Sequence, residues 1–238
     1  MARLTRVESQ ARTRELLIAT ARQLFLRDGY HATSLEKVAE AAGFSKGAVY
    51  SNFGTKDELC QTVIDAVRAE QVQAIMDAFL GDGSDEDRLA VFESWAERTI
   101  GDPGWTLLEA EFAIHATRRD PGLRDKVAAG GRSWVGALQF LLEKEARRRD
   151  LSLPLPAGEL ADALLSLGVG LGLRRAVDPA LSSHALTDLI RLLLDHAPRG
   201  DHRDHRDRRP PVGPPTGPPV DPAIDQPAGP PLRPRRDR

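Results

Sequence analysis

Residues 33–59 read TSLEKVAEAAGFSKGAVYSNFGTKDEL, and this stretch decides the fold. Thr33 and Glu36 stand at capping-box spacing ahead of Leu35, Val38, Ala39 and Ala42, which predicts a short helix over about 34–42. Gly43 breaks it. Ser45 can cap a second short helix over about 46–52, whose Val49 and Phe53 are four apart and face inward, and Gly54 ends it. Thr55 and Glu58 repeat the capping-box spacing and open a long helix through Leu59, Val63, Val67, Ile75, Met76 and Phe79. Two short helices joined by Gly43-Phe44-Ser45 have helix-turn-helix spacing, with the glycine in the turn. In such a unit the second helix enters the major groove of DNA and the first crosses the backbone. The residues left for solvent or DNA suit that use. Gly47 and Ala48 are small enough for close approach, Lys46 can donate to guanine or phosphate, and Tyr50, Ser51 and Asn52 are polar.

Outward from this stretch the pattern stays helical. Leu17, Ala21, Leu24 and Phe25 recur at helix spacing, with Gly29 as a C-terminal stop. Beyond Gly81–Ser84, helices are predicted near 86–100, 105–118, 122–149, 157–177 and 183–197. They are separated by Asp102-Pro103-Gly104, Asp120-Pro121-Gly122, Leu153-Pro154-Leu155-Pro156 and Asp178-Pro179, and Pro121 suits a first helical turn. No segment alternates as a strand does. The expectation is an all-α chain of about nine helices.

Charge and proline divide it further. The formal net charge of -2 hides a net +4 over residues 1–56, -9 over 57–197 and +3 over 198–238. A basic head points to a nucleic-acid partner. Twelve of the 17 prolines lie between Pro198 and Pro234. That segment lacks the large apolar residues needed to offset its own ordering, so a disordered tail is expected there. The single cysteine, Cys60, excludes an internal disulfide and any multi-cysteine metal centre, and fits a cytoplasmic protein. No apolar leader and no stretch of membrane-spanning length is present, so no membrane partner is expected. No cofactor or metal is expected either; the run Asp201-His202-Arg203-Asp204-His205-Arg206-Asp207 reads as solvated charge.

The run from Thr33 to Leu59, with Ala21-Arg22-Gln23-Leu24-Phe25 and Gly29-Tyr30 before it, resembles the DNA-binding signature of the TetR/AcrR family of transcriptional regulators. The resemblance implies a homodimer that binds a palindromic operator in double-stranded DNA, usually as a repressor, and releases it when a small-molecule effector occupies the C-terminal domain. It implies a helix-turn-helix domain at 1–56 and an effector-binding and dimerisation domain at 57–197. It assigns base reading and groove approach to Lys46, Gly47 and Ala48, a phosphate contact to Tyr50, and flanking positions to Ser45, Ser51 and Asn52. Thr33, Ser34 and Lys56 match backbone contacts. Such a regulator is cytoplasmic and lies on the nucleoid when bound to DNA. Arg3, Arg6, Arg12 and Arg14 form either a DNA-contacting or a solvated arm.

In the larger domain Phe79, Phe92, Trp95, Trp105, Phe112, Trp134 and Phe140 are candidates to line an apolar effector cavity, with His115 as a polar contact. Glu109 and Glu111 read as surface residues. Gly168, Gly170 and Gly172 follow no strand, so close helix approach explains them better than a nucleotide loop. Leu160, Leu164, Leu167, Gly168 and Leu171, with Leu186, Leu189, Ile190 and Leu193, are expected to form a four-helix dimer interface. Two other classes compete: an all-helical enzyme or small-molecule-binding protein, for which no nucleophile–base or metal constellation is found, and a sequence-independent architectural DNA-binding protein.

Overall fold

In a computed structural model the described residues are 5–81, 83–196 and 198–199. They form α1 (Arg6–Ala32), α2 (Leu35–Ala42), α3 (Lys46–Asn52), α4 (Lys56–Leu80), α5 (Asp85–Gly101), α6 (Pro103–Arg119), α7 (Pro121–Arg149), α8 (Ala157–Val177) and α9 (Ala185–His196). The one extended pairing among them is an isolated bridge between Leu151 and Arg199. Beside it the Ser152 N–H donates to the Pro198 carbonyl at 2.7 Å. The expected tail, apart from Pro198 and Arg199, lies outside the described residues. No described helix is long and apolar enough to cross a membrane.

The helix starts are written locally. Asp102 and Asp120 each accept backbone N–H groups ahead of a proline in the first turn, which fixes the starts of α6 and α7. Ser34, Ser45 and Thr55 cap α2, α3 and α4. Thr33 does not cap α2 as its spacing suggested. Its hydroxyl donates to the Gly29 carbonyl at 2.9 Å, and Ser34 takes the cap. The arginine arm is also corrected: Thr5 and Glu8 form a capping box, so Arg6, Arg12 and Arg14 belong to α1.

Gly29 interrupts α1 without ending it. At φ 81° and ψ 173° its backbone occupies a region that essentially only glycine reaches. The kink leaves the Tyr30 N–H without a helical acceptor, and Glu111 of α6 supplies one at 2.7 Å. Glu111 is therefore a half-buried tie between α1 and α6, not the surface residue its sequence context suggested.

One core spans the head and the start of the larger domain. Leu17, Phe25, Val38, Val49 and Phe53 pack with Leu59 and Val63 of α4 and with Trp105, Leu108 and Phe112 of α6. Two smaller apolar clusters lie further along. One joins Phe92, Ala96 and Ile100 to Leu171 and Leu186. The other joins Ile75 to Trp134 and Leu141.

Candidate nucleic-acid interface and ligand cavity

α2 and α3 are joined by a turn in which Gly43 adopts the left-handed conformation (φ 73°) and its N–H returns to the end of α2. Val49 and Phe53 are fully buried and hold α3 against the head. Arg14 of α1 secures its far end, donating to the Asn52 carbonyl at 2.9 Å and stacking 4.2 Å from the centre of the Phe53 ring. The opposite face is free: Ser45, Lys46, Gly47, Tyr50 and Ser51 are exposed, and Ala48 is half-buried. A short rigid helix with a lysine, a glycine and a tyrosine outward fits a major groove.

Several polar groups of the head are engaged within the protein. Ser34 and Ser45 accept the Lys37 and Ala48 N–H groups at 3.2 Å. Ser51 and the half-buried Asn52 donate back to the Ala48 carbonyl at 2.9 and 2.8 Å. Two expected backbone contacts are corrected. Thr33 is buried and spends its hydroxyl on Gly29. Lys56 turns inward: its Nζ donates to the Tyr30 carbonyl at 3.0 Å and lies 4.0 Å from the centre of the Tyr30 ring. Burial there holds its pKa below the ordinary lysine range. A residue that sequence reasoning missed is Glu36. Its Oε1 accepts the Tyr50 hydroxyl at 2.9 Å. Its own backbone N–H, the Tyr50 hydroxyl and Ser34 hold its carboxyl below the usual range.

A second polar cluster joins α1, α4 and α6. The Tyr30 hydroxyl donates to Asp57 and lies 3.0 Å from His115 Nε2, which is itself 3.3 Å from Asp57 Oδ1. Arg119 Nε stands 3.5 Å from the other Asp57 oxygen.

The larger domain holds a cavity of about 140 Å³ lined by residues of α4 to α9. Of the residues expected there, Phe79, Phe92, Trp95, Trp105 and Trp134 line it. Three do not. Phe112 is sealed in the shared core. His115 is bonded to Tyr30. Phe140 points outward with 47% of its surface exposed. The wall also includes Glu109, which is half-buried rather than on the surface and is paired with Arg68 at 3.0 Å. Burial raises its pKa.

The expected dimer residues divide. Leu160, Leu171 and Leu186 are buried within the protomer, and Leu164, Ile190 and Gly168 line the cavity. Their place on an interface is corrected accordingly: α8 is apolar around most of its circumference, and its inner side is spent on the chain's own core. Leu167 and Leu189 remain exposed, Leu193 is half-buried, and the exposed apolar face also carries Leu173 and Leu192, which sequence reasoning did not include. In the glycine run, Gly172 packs against Thr106 of α6 so tightly that a Cβ would stand 2.6 Å from its Oγ1, whereas Gly170 faces open space.

Comparison with known proteins bears on the head first. The profile of bacterial regulatory proteins of the tetR family matches residues 17–63, which contain all of α2 and α3. The chain is 29% identical over 187 residues to the nicotine-responsive transcriptional repressor HdnoR of Paenarthrobacter nicotinovorans, covering 76% of this chain and 92% of that one. The head carries the tetR-family signature. Its likeness to the transcriptional regulator TtgR of Pseudomonas putida is 39% over 67 residues, 28% of this chain and 31% of TtgR. The chain thus spans about a third of the length of the curated relatives it matches first. The fold of the chain is also that of the regulatory protein TetR from Rhodobacter sphaeroides, with a TM-score of 0.62 at 21% identity over 77% of this chain and 98% of that one.

Proposed function

We propose that the chain is a homodimeric transcriptional repressor that holds a palindromic operator through α3 and leaves it when a small molecule fills the cavity. The observation that carries the reading is the free face of α3, where Lys46, Gly47 and Tyr50 stand exposed on a helix anchored from behind by Val49, Phe53 and Arg14. Lys46 is the base-reading or phosphate-contacting cation, and Tyr50 donates to a phosphate. The exposed apolar face of α8 and α9 supports two-fold pairing, and a two-fold dimer presents two such helices to two half-sites.

Coupling between the sites runs through α4 and α6. α4 buries Leu59 and Val63 in the shared core and places Ile75 on the cavity wall. α6 places Trp105 on the wall and His115 against Tyr30 of α1. A ligand that reshapes the wall therefore acts on both helices that carry the head. It shifts the protein away from DNA only to the extent that it binds the released conformation more tightly.

Selection from random duplexes tests the reading. A repressor returns one inverted repeat, and Lys46→Ala weakens binding to it by about tenfold with an unchanged melting temperature. Recovery of duplexes with no shared motif would favour an architectural role instead.

A further inference from the structure

One end of the cavity is lined by Glu145, and three arginines stand behind that carboxylate. Phe92, Trp95 and Thr99 line it from α5; Arg88, one turn before Phe92 on that helix, is not itself a lining residue but lies 3.9 Å from Glu145, which is. Across from it Glu145 ends the α7 stripe that begins at Trp134. Around Glu145 stand three guanidinium groups and one further carboxylate. Arg148 Nη2 donates to Glu145 Oε2 at 2.6 Å and also pairs with Asp85. Arg149 Nε lies 3.4 Å from both Glu145 Oε2 and Asp85 Oδ2. Arg88 Nη1 comes no nearer than 3.9 Å to Glu145 Oε1.

Arg88 is the member left over. Its side chain is 14% exposed, and its Nη2 donates to the Gly81 carbonyl at 3.0 Å. Its Nε and Nη1 are buried with no hydrogen-bond partner. The other carboxylate on the wall, Glu109, is already matched by Arg68 and offers Arg88 nothing. Among the described residues, Arg88, Arg148 and Arg149 against Asp85 and Glu145 thus leave one uncompensated cation next to Glu145 of the cavity wall. Burying such a group is costly until an anion meets it.

We infer that the ligand is an organic acid, with an apolar ring-sized body among the tryptophans and phenylalanines and a carboxylate that accepts a hydrogen bond from Arg88. The inference rests on the effector-cavity reading above. A carboxylate supplies both the missing charge and the missing acceptor, and a charge-assisted bond of this kind is stronger than a neutral one. A neutral ligand leaves the surplus in place, and an ammonium adds to it. The body is limited by the volume: about 140 Å³ is close to the roughly 150 Å³ apolar cavity that takes up benzene.

Calorimetric titration of the full chain with phenylacetate, methyl phenylacetate and phenethylammonium tests the inference, since the three share a body and differ in the charge of the head group. Phenylacetate is expected to bind about tenfold or more tighter than either of the others. Arg88→Gln should remove that preference, whereas Glu145→Gln, which deletes the competing carboxylate, should strengthen it. If Arg88→Gln fails to fold, the order of the three probes and the Glu145→Gln result still decide. An ester or amine that binds as well as the acid overturns the inference. So does a folded Arg88→Gln that keeps the preference, a Glu145→Gln that weakens it, or absence of binding by all three probes. A protein that selects an inverted repeat yet ignores phenylacetate loses only the acid assignment. One that binds phenylacetate but selects no duplex motif keeps the acid assignment and loses the repressor reading.

Discussion

The hydroxyl of Tyr50 donates to Glu36 Oε1 at 2.9 Å, joining the outward face of α3 to the first turn of α2. The pair sets a carboxylate beside the surface that a phosphate would occupy, and DNA has to displace it to reach the tyrosine. Glu36→Gln is therefore expected to tighten operator binding by about three- to tenfold, because one repulsive charge leaves and the hydroxyl is released. Tyr50→Phe is expected to weaken it by a similar factor. Titrations of both variants at two salt concentrations check the order, and a weaker Glu36→Gln would show that Glu36 assists DNA rather than competing with it.

The kink at Gly29 makes a sharp stability prediction. Gly29→Ala forces a Cβ into a backbone conformation worth about 1–3 kcal/mol of strain. It also places that Cβ 2.9 Å from Glu111 Oε2, the group that satisfies the Tyr30 N–H. The melting temperature should fall clearly. Gly131→Ala, where a Cβ would meet nothing within 4 Å, serves as the control.

Alkaline pH should destabilise the protein through the same junction. Burial first, and then the bond to Asp57, push the Tyr30 hydroxyl above its ordinary value of 10.0. Burial likewise raises the Cys60 thiol from 9.0. Both groups hold their protons more tightly when folded, so their contribution is complete below the unfolded values and is lost as pH rises past about 9 to 10. Urea midpoints at about pH 8 and about pH 10.5 should differ, and Tyr30→Phe should narrow the gap while lowering stability at the lower pH.

The dimer proposal depends on the outer faces of α8 and α9. Leu167 and Leu192 are 37% and 54% exposed. Leu167→Asp combined with Leu192→Asp should therefore convert dimer to monomer in sedimentation while leaving the helical content unchanged. An unaltered sedimentation coefficient would place the interface elsewhere.

Features set by neighbours a few residues away were legible in the sequence. Gly43, Ser45 and Thr55 mark the ends of the head helices, and Pro121 after Asp120 marks the start of α7, whereas Pro103, read as part of a break, in fact opens α6. Contacts made across the chain were not. Thr33 and Ser34 can each cap a helix, and the choice fell to Ser34 because the kinked end of α1 offers Thr33 a carbonyl. The same region takes Lys56 away from DNA, through the Tyr30 carbonyl 26 residues earlier. Phe112 and His115 look like cavity residues until the end of α1 arrives to cover them. On α8, periodicity marks apolar positions without saying whether the chain's own core or a second copy covers them. The Tyr50–Glu36 bond had no local signal, since the two residues lie 14 apart on different helices.

The shared core also governs how this protein can be recombined. Trp105, Leu108 and Phe112 close the head from a helix that begins some fifty residues after α3 ends. A graft cut at residue 56 would open that core on both sides of the join. A chimaera that gives this head a new C-terminal part must carry the first half of α4 and the inner face of α6 with it, and any replacement for α8 must keep the close seat of Gly172 on Thr106.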